Sequence, residues 1–148
     1  METSPTNQRG LQDAAALLRH SAAPAALTGA GVSRESGIPT FREAQTGLWA
    51  QYDPTELATP EAFHRNPELV WQFYQSRRAD LAAIQPNPGH YALAAFETRY
   101  PDFSIITQNV DDLHERAGSK NVIRLHGRLS ANKCSADCKG NPTPIDYT

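Results

Sequence analysis

Only two cysteines occur in the 148 residues, Cys134 and Cys138, and both lie close to the C-terminus. Two thiols so placed cannot form a disulfide scaffold, which leaves a metal site or free thiols as readings. No apolar run approaches the roughly 20 residues that a membrane-spanning helix needs, so no membrane partner is expected. Charge of one sign is lacking too. The 14 Lys and Arg against 16 Asp and Glu leave −2, without the basic field that nucleic acid would call for. Met1 to Gly10 has neither the apolar stretch of a secretory signal nor an Arg-rich amphipathic pattern. The default expectation is therefore intracellular: cytoplasmic, with mitochondrial as the alternative. Internal repeats and low-complexity tracts are missing as well.

What is present fits one domain able to bury a core. Hydrophobic residues make up 39% and prolines number 11, a balance that favours a loop-rich α/β protein over a helix bundle. Leu11, Ala14, Ala15 and Leu18 recur at helical spacing, in a helix that ends before Pro24. Ala25 to Thr28 is a short apolar run, expected as a buried strand feeding a tight turn. Pro39 to Pro60 is rich in turn formers and is expected as a long ordered loop with short helical pieces. Loops of that length are usually functional. The helical period returns from Pro67 to about Ile84, and Pro88 suits the first turn of a helix carrying Leu93, Ala94 and Phe96. Phe103–Thr107 and Val122–Leu125 look like two further strands, separated by a short helix from Val110 to Arg116 that Gly118 stops. Strands alternating with helices predict an α/β fold with a parallel, Rossmann-like sheet.

Thr28-Gly29-Ala30-Gly31-Val32-Ser33 leaves a strand and opens a helix. Glycines there let backbone amides approach a pyrophosphate. Arg34 stands where the usual dinucleotide fingerprint has its third glycine, so a plain strand-to-helix turn explains these residues equally well. Ser36-Gly37-Ile38-Pro39 is a flexible turn just before Phe41 and Arg42. Arg42 can hold a phosphate, and Phe41 can cover a flat or cationic group.

Gln108-Asn109-Val110-Asp111 follows a strand, where open α/β sheets bind ligands. Its amide and carboxylate suit a carboxamide, ribose hydroxyls or a water; capping of the next helix by Asn109 or Asp111 is the other reading. His126 ends the following strand beside Gly127. Its imidazole suits general-base work, although a lone histidine is more often structural. His114 reads as a packing or hydrogen-bonding residue, and His20, His64 and His90 have no comparable neighbourhood. Val70, Phe73, Tyr74, Arg77 and Leu81 share a helix face. A buried Arg77 wants an anion, to which Tyr74 can add a hydrogen bond. Alternatively Arg77 snorkels to solvent or pairs with Glu68. Cys134 and Cys138, four residues apart, can chelate zinc, but a structural site wants four ligands.

Gly29 to Arg42, read as one stretch, resembles the cofactor-binding signature of the sirtuin family. Gln108–Asp111 and Leu125-His126-Gly127 are similar to two further elements of that family, in the same order. The resemblance implies NAD as cofactor and an acylated-lysine protein or peptide as substrate. It implies that Gly29, Ala30, Gly31, Val32 and Ser33 contact the pyrophosphate, and that Ser36, Ile38, Pro39, Phe41, Arg42 and Trp49 belong to the cofactor site. By the same resemblance, Gln108 and Asn109 line the nicotinamide ribose region, Val110 belongs to the cofactor site, Asp111 holds the carboxamide, and His126 is the catalytic base. Tyr74-x-x-Arg77 resembles the motif by which class III sirtuins recognise the carboxylate of succinyl-, malonyl- or glutaryl-lysine. Cys134 and Cys138 then become half of a zinc site.

Thr40 and Asp112 depart from the family, which often has Asp and Gly there. The resemblance covers nearly all of Gly10 to Cys138 but only the first part of the family's catalytic domain. The expectation is one domain over residues 1–148, incomplete at its C-terminus. Residues 10–128 form its NAD-binding and catalytic part, and 129–148 the start of a small zinc-binding module. Such a chain is expected to expose apolar edges and to associate with another chain.

Overall fold

A computed structural model describes residues 5–38, 52–135 and 143–144. Helix α1 (Pro5–His20) precedes strand β1 (Ala25–Thr28) and helix α2 (Ala30–Arg34). Helices α3 (Pro54–Leu57), α4 (Pro60–Arg65), α5 (Pro67–Ala82) and α6 (Pro88–Arg99) follow. Then come β2 (Ser104–Thr107), α7 (Leu113–Arg116), β3 (Val122–Arg124) and two short strands, β4 (Ala131–Asn132) and β5 (Thr143–Pro144).

Local chemistry fixes the helix starts. Thr59 and Asn66 cap α4 and α5, accepting from the backbone N–H of Ala62 at 3.0 Å and of Leu69 at 3.2 Å. Pro60, Pro67 and Pro88 each occupy a first-turn position, where the missing N–H costs nothing. Asn87 caps α6 with a reciprocal box: its side chain accepts from Gly89 N–H at 2.9 Å, while His90 Nδ1 accepts from Asn87 N–H at 3.3 Å.

Strands β1, β2 and β3 form a parallel sheet in the order β1-β2-β3, with Thr28, Thr107 and Arg124 in register. The α/β expectation holds, with two corrections. β1 is an edge strand rather than a buried one, and Leu27 on it is 68% exposed. The helix expected from Val110 begins only at Leu113; ahead of it, Val110 O accepts from Leu129 N–H and Asp111 O from the Arg124 guanidinium instead of from helix amides. β4 and β5, which the sequence did not suggest, pair antiparallel and bracket the segment between the two cysteines.

The core lies between β2 and the helices, built on Leu57, Phe73, Leu81, Phe103, Ile105 and Leu113. Leu11 and Leu17 on α1, and Leu27, Ile123 and Leu125 on or beside the sheet, stay exposed. No helix among the described residues is long and apolar enough to cross a membrane.

Candidate active site

Three in-register parallel strands put their C-terminal ends side by side, so the segments that leave them must meet. Gly29 leaves β1, Gln108 leaves β2 and His126 follows β3. Gln108 N–H donates to Thr28 O at 3.0 Å, and Leu125 N–H to Thr107 O at 2.9 Å, which extends the ladder to the edge of the site.

Ser33, 1% exposed, is the junction of the site. His90 Nδ1 is occupied as an acceptor, so its proton sits on Nε2, which faces Ser33 Oγ at 3.4 Å. Asn109 Nδ2 also donates to Ser33 Oγ, at 3.1 Å, and to Gly29 O at 3.1 Å. With both acceptor positions of its oxygen used, the Ser33 hydroxyl donates to Asp111 Oδ2 at 2.9 Å. Asp111 Oδ1 accepts from Leu113 N–H at 3.1 Å in a local turn just ahead of α7, whose N-cap residue is Asp112, and the carboxylate retains further lone pairs. Asn109 caps nothing. It ties the glycine turn to the loop after β2.

Arg124 clamps that loop from below. Its guanidinium donates to Asp111 O at 2.7 Å, to Asn109 O at 3.4 Å and to both carboxylate oxygens of Glu115. Asn87 Nδ2 donates to Val32 O at 2.7 Å and Ser36 Oγ at 3.0 Å, joining α6 to the turn after α2. His114 is buried, with Nε2 3.1 Å from Thr28 Oγ1 and its ring 4.9 Å from that of His90. Burial lowers the pKa of both histidines; the Asp111 carboxylate pulls the other way. His90 thus has a neighbourhood that the sequence did not reveal.

His126 is exposed, and its Nδ1 lies 3.0 Å from Gln108 O. A carbonyl only accepts, so Nδ1 carries the proton and Nε2 keeps its lone pair. Gly127 follows at φ +76°, a conformation that side chains rarely adopt, and so lets the chain turn sharply behind the imidazole.

Gly29 has the extended φ of −141°, and a Cβ at Gly29 or Gly31 would meet no atom within 4 Å. Backbone conformation therefore does not require glycine at either position. Bare backbone facing open space is what they contribute, and it suits close approach of a phosphate ester. The first hydrogen bond of α2 runs from Val32 N–H to Gly29 O, leaving the amides of Ala30 and Gly31 ahead of the helix's own bonding.

A cavity of about 470 Å³ joins these parts. Ala30, Ser33 and Ile38 line it from the glycine-turn side, Gln108 to Asp111 and His126 from the strand ends, and Tyr74, Arg77 and Asp80 from α5. A second cavity of about 560 Å³ shares Tyr74, Val110 and His126 with it. Gly29, Gly31, Val32 and Ser36 are not among the residues that line the first cavity. Burial raises the Tyr74 pKa, although Arg78 opposes this, so the phenol remains a donor. Arg77 pairs with Asp80 at 3.7 Å, and not with Glu68, which accepts from Gln72. Pro39, Thr40, Phe41, Arg42, Trp49 and Cys138 lie outside the described residues.

Residues 29–145 match the profile of the Sir2 family. The chain belongs to the Sir2 family. A curated relative from Pseudomonas aeruginosa, named NAD-dependent protein deacylase 1, is 59% identical over 109 residues, covering 74% of this chain and 44% of the relative. A crystal structure of a Sir2 homologue in complex with NAD superposes with a TM-score of 0.74 at 51% identity, over 85% of this chain and 48% of that one. A Sir2 protein bound to acetylated peptide gives a TM-score of 0.73 at 32% identity, over 90% and 51%. This Sir2 chain thus spans about half the length of the relatives it matches.

Cys134 is exposed. Among the described residues of this Sir2 domain, no group of three or more His, Cys, Asp and Glu is placed to hold a metal.

Proposed function

We propose that this Sir2 domain carries the NAD-binding and base-bearing part of a protein-lysine deacylase that prefers succinyl- and malonyl-lysine to acetyl-lysine. The observation that carries the reading is the single cavity shared by Ala30 and Ser33 of the glycine-turn segment, the Gln108–Asp111 loop, His126 and the Tyr74/Arg77 pair. The NAD and acetylated-peptide complexes of related Sir2 structures support it. NAD, when bound, would supply an electrophilic ribose carbon that releases nicotinamide and an ADP-ribose that accepts the acyl group.

The chain's own residues have separable tasks in this reading. Bare backbone at Gly29 and Gly31 receives the pyrophosphate. Asp111, oriented by Ser33 and Leu113 N–H, accepts from the carboxamide. His126 Nε2 takes the proton of a ribose hydroxyl, with Gln108 O holding the tautomer. Tyr74 and Arg77 meet the carboxylate of the acyl chain as donor and counter-charge. Cys134 and Cys138 are carried as half of a zinc site; two thiolates leave a tetrahedral ion two ligands short, and no step depends on it.

Nicotinamide release that requires an acylated peptide, and that falls about a hundredfold or more in His126→Tyr, is the expected result. Release without acyl-lysine would favour ADP-ribosyl transfer to another acceptor. A second reading is a non-catalytic NAD-binding or interaction module. The exposed Leu11, Leu17, Leu27, Ile123 and Leu125 favour it. NAD binding without nicotinamide release, together with concentration-dependent association in sedimentation, would support that module instead.

A further inference from the structure

Arg77 and Asp80 sit one turn apart on α5, and both line the cavity. Arg77 Nη1 lies 3.7 Å from Asp80 Oδ2. That distance is too long for a hydrogen bond, so the contact is Coulombic and the guanidinium keeps its donors. The two side chains differ in exposure, Arg77 at 16% and Asp80 at 62%. The cation is thus held in the wall, while its counter-ion stands toward solvent.

This asymmetry has consequences for what the cavity accepts. An acyl chain ending in a carboxylate would bring a second anion to a guanidinium that already faces one. At hydrogen-bond distance from Arg77 it would lie within a few ångströms of Asp80, and like charges so close repel. A neutral acyl chain meets the opposite situation, because Asp80 compensates the charge of Arg77 and spares the acetyl group an unpaired cation.

We propose that Asp80 is a specificity-determining residue. Its carboxylate acts as an internal counter-ion that holds back carboxylate-bearing acyl chains and keeps the site open to neutral ones. The proposal rests on the reading of Tyr74 and Arg77 given above. Asp80 is exposed, so it can swing into solvent when a substrate carboxylate replaces it, and it moderates the preference for such chains rather than abolishing it.

The test compares binding of matched succinyl-lysine and acetyl-lysine peptides to the full 148-residue chain, by fluorescence anisotropy with NAD present. Asp80→Asn should raise the succinyl-to-acetyl affinity ratio about two- to fivefold, the scale of one exposed ion pair. Asp80→Glu restores the anion and should return the ratio to within about twofold of the original. Salt at about 1 M should shrink the difference. Arg77→Met should lower the ratio. An unchanged ratio in Asp80→Asn, with Arg77→Met still lowering it, overturns the role of Asp80 and leaves the acyl-group reading standing. An unchanged ratio in Arg77→Met, or no binding of either peptide, overturns both.

Discussion

Acidification from about pH 7.5 to about pH 5.5 should weaken this fold through two histidines whose burial disfavours the protonated ring. His90 Nδ1 accepts Asn87 N–H and its Nε2 faces Ser33, so a second ring proton would set two donors against each other and open the cap of α6. His114 is buried against the His90 ring, with Thr28 at its Nε2 and no partner for Nδ1 among the described residues. Desolvation lowers both pKa values. His90 and Arg124 lower that of His114 further, while Asp111 opposes the shift at both rings and Glu115 opposes it at His114.

A histidine whose folded pKa is depressed binds its proton more readily in the unfolded chain. Stability is then full above the unfolded value of about 6.5 and is lost as pH falls from there toward the folded value. Each site contributes at most about 1.4 kcal/mol per pH unit inside that window, so the pair contributes at most about 2.7. A typical urea slope of about 1–3 kcal/mol/M turns this into a midpoint shift on the order of 1 M per pH unit. Unfolded carboxylates titrate near about 4, below the window, so they do not supply the effect. The assay is urea denaturation followed by circular dichroism at half-unit steps of pH. His90→Gln should remove about half of the slope. A midpoint that stays flat in the parent chain between the two limits would refute the argument.

Two further outcomes follow from the site geometry. Gly29→Ala places a methyl in open space at an ordinary φ, so stability should change by less than about 0.5 kcal/mol. NAD binding measured by calorimetry should nevertheless drop, because the bare backbone would be covered; unchanged binding would remove Gly29 from cofactor contact. Arg124→Gln removes charge-assisted bonds to two loop carbonyls and the pair with Glu115. A cost of about 2–3 kcal/mol is expected, with faster hydrogen exchange at Leu113 and Arg116; a loss under about 0.5 kcal/mol would mean the loop is held elsewhere.

The parts legible in the sequence were those that depend on short spacing. Turn residues mark the ends of β1, β2 and β3, and a parallel sheet then forces Ser33, Gln108–Asp111 and His126 to one edge. His90 was not legible for two reasons. Its partner Ser33 is 57 residues away, and it occupies the capping-box position where Glu or Gln is the usual signal. Arg124 reads as an ordinary strand residue until the loop it clamps is folded around it. Asp80 was not legible because it lies off the apolar stripe that carries Arg77, and the ion pair between them depends on rotamers that spacing does not fix. The edge position of β1 escaped notice because a four-residue apolar run looks the same at the centre of a sheet and at its edge.

Stability and site orientation share atoms in this fold, which limits how freely either can vary. The hydroxyl of Ser33 aims Asp111, yet its own orientation is set by His90 and Asn109, and His90 is held by the cap of α6. Asp111 in turn accepts from the N–H of Leu113, the first residue of α7, and Arg124 holds the carbonyls of the same loop. Losing any one member leaves a buried polar group short of a partner, at a cost of about 1–3 kcal/mol. His126 and the Arg77–Asp80 pair stand outside that network, in the exposed and partly exposed wall of the cavity. Substitutions there should cost folding little and, on the proposed reading, act on reactivity and acyl preference, whereas substitutions around Ser33 should disturb folding and site orientation together.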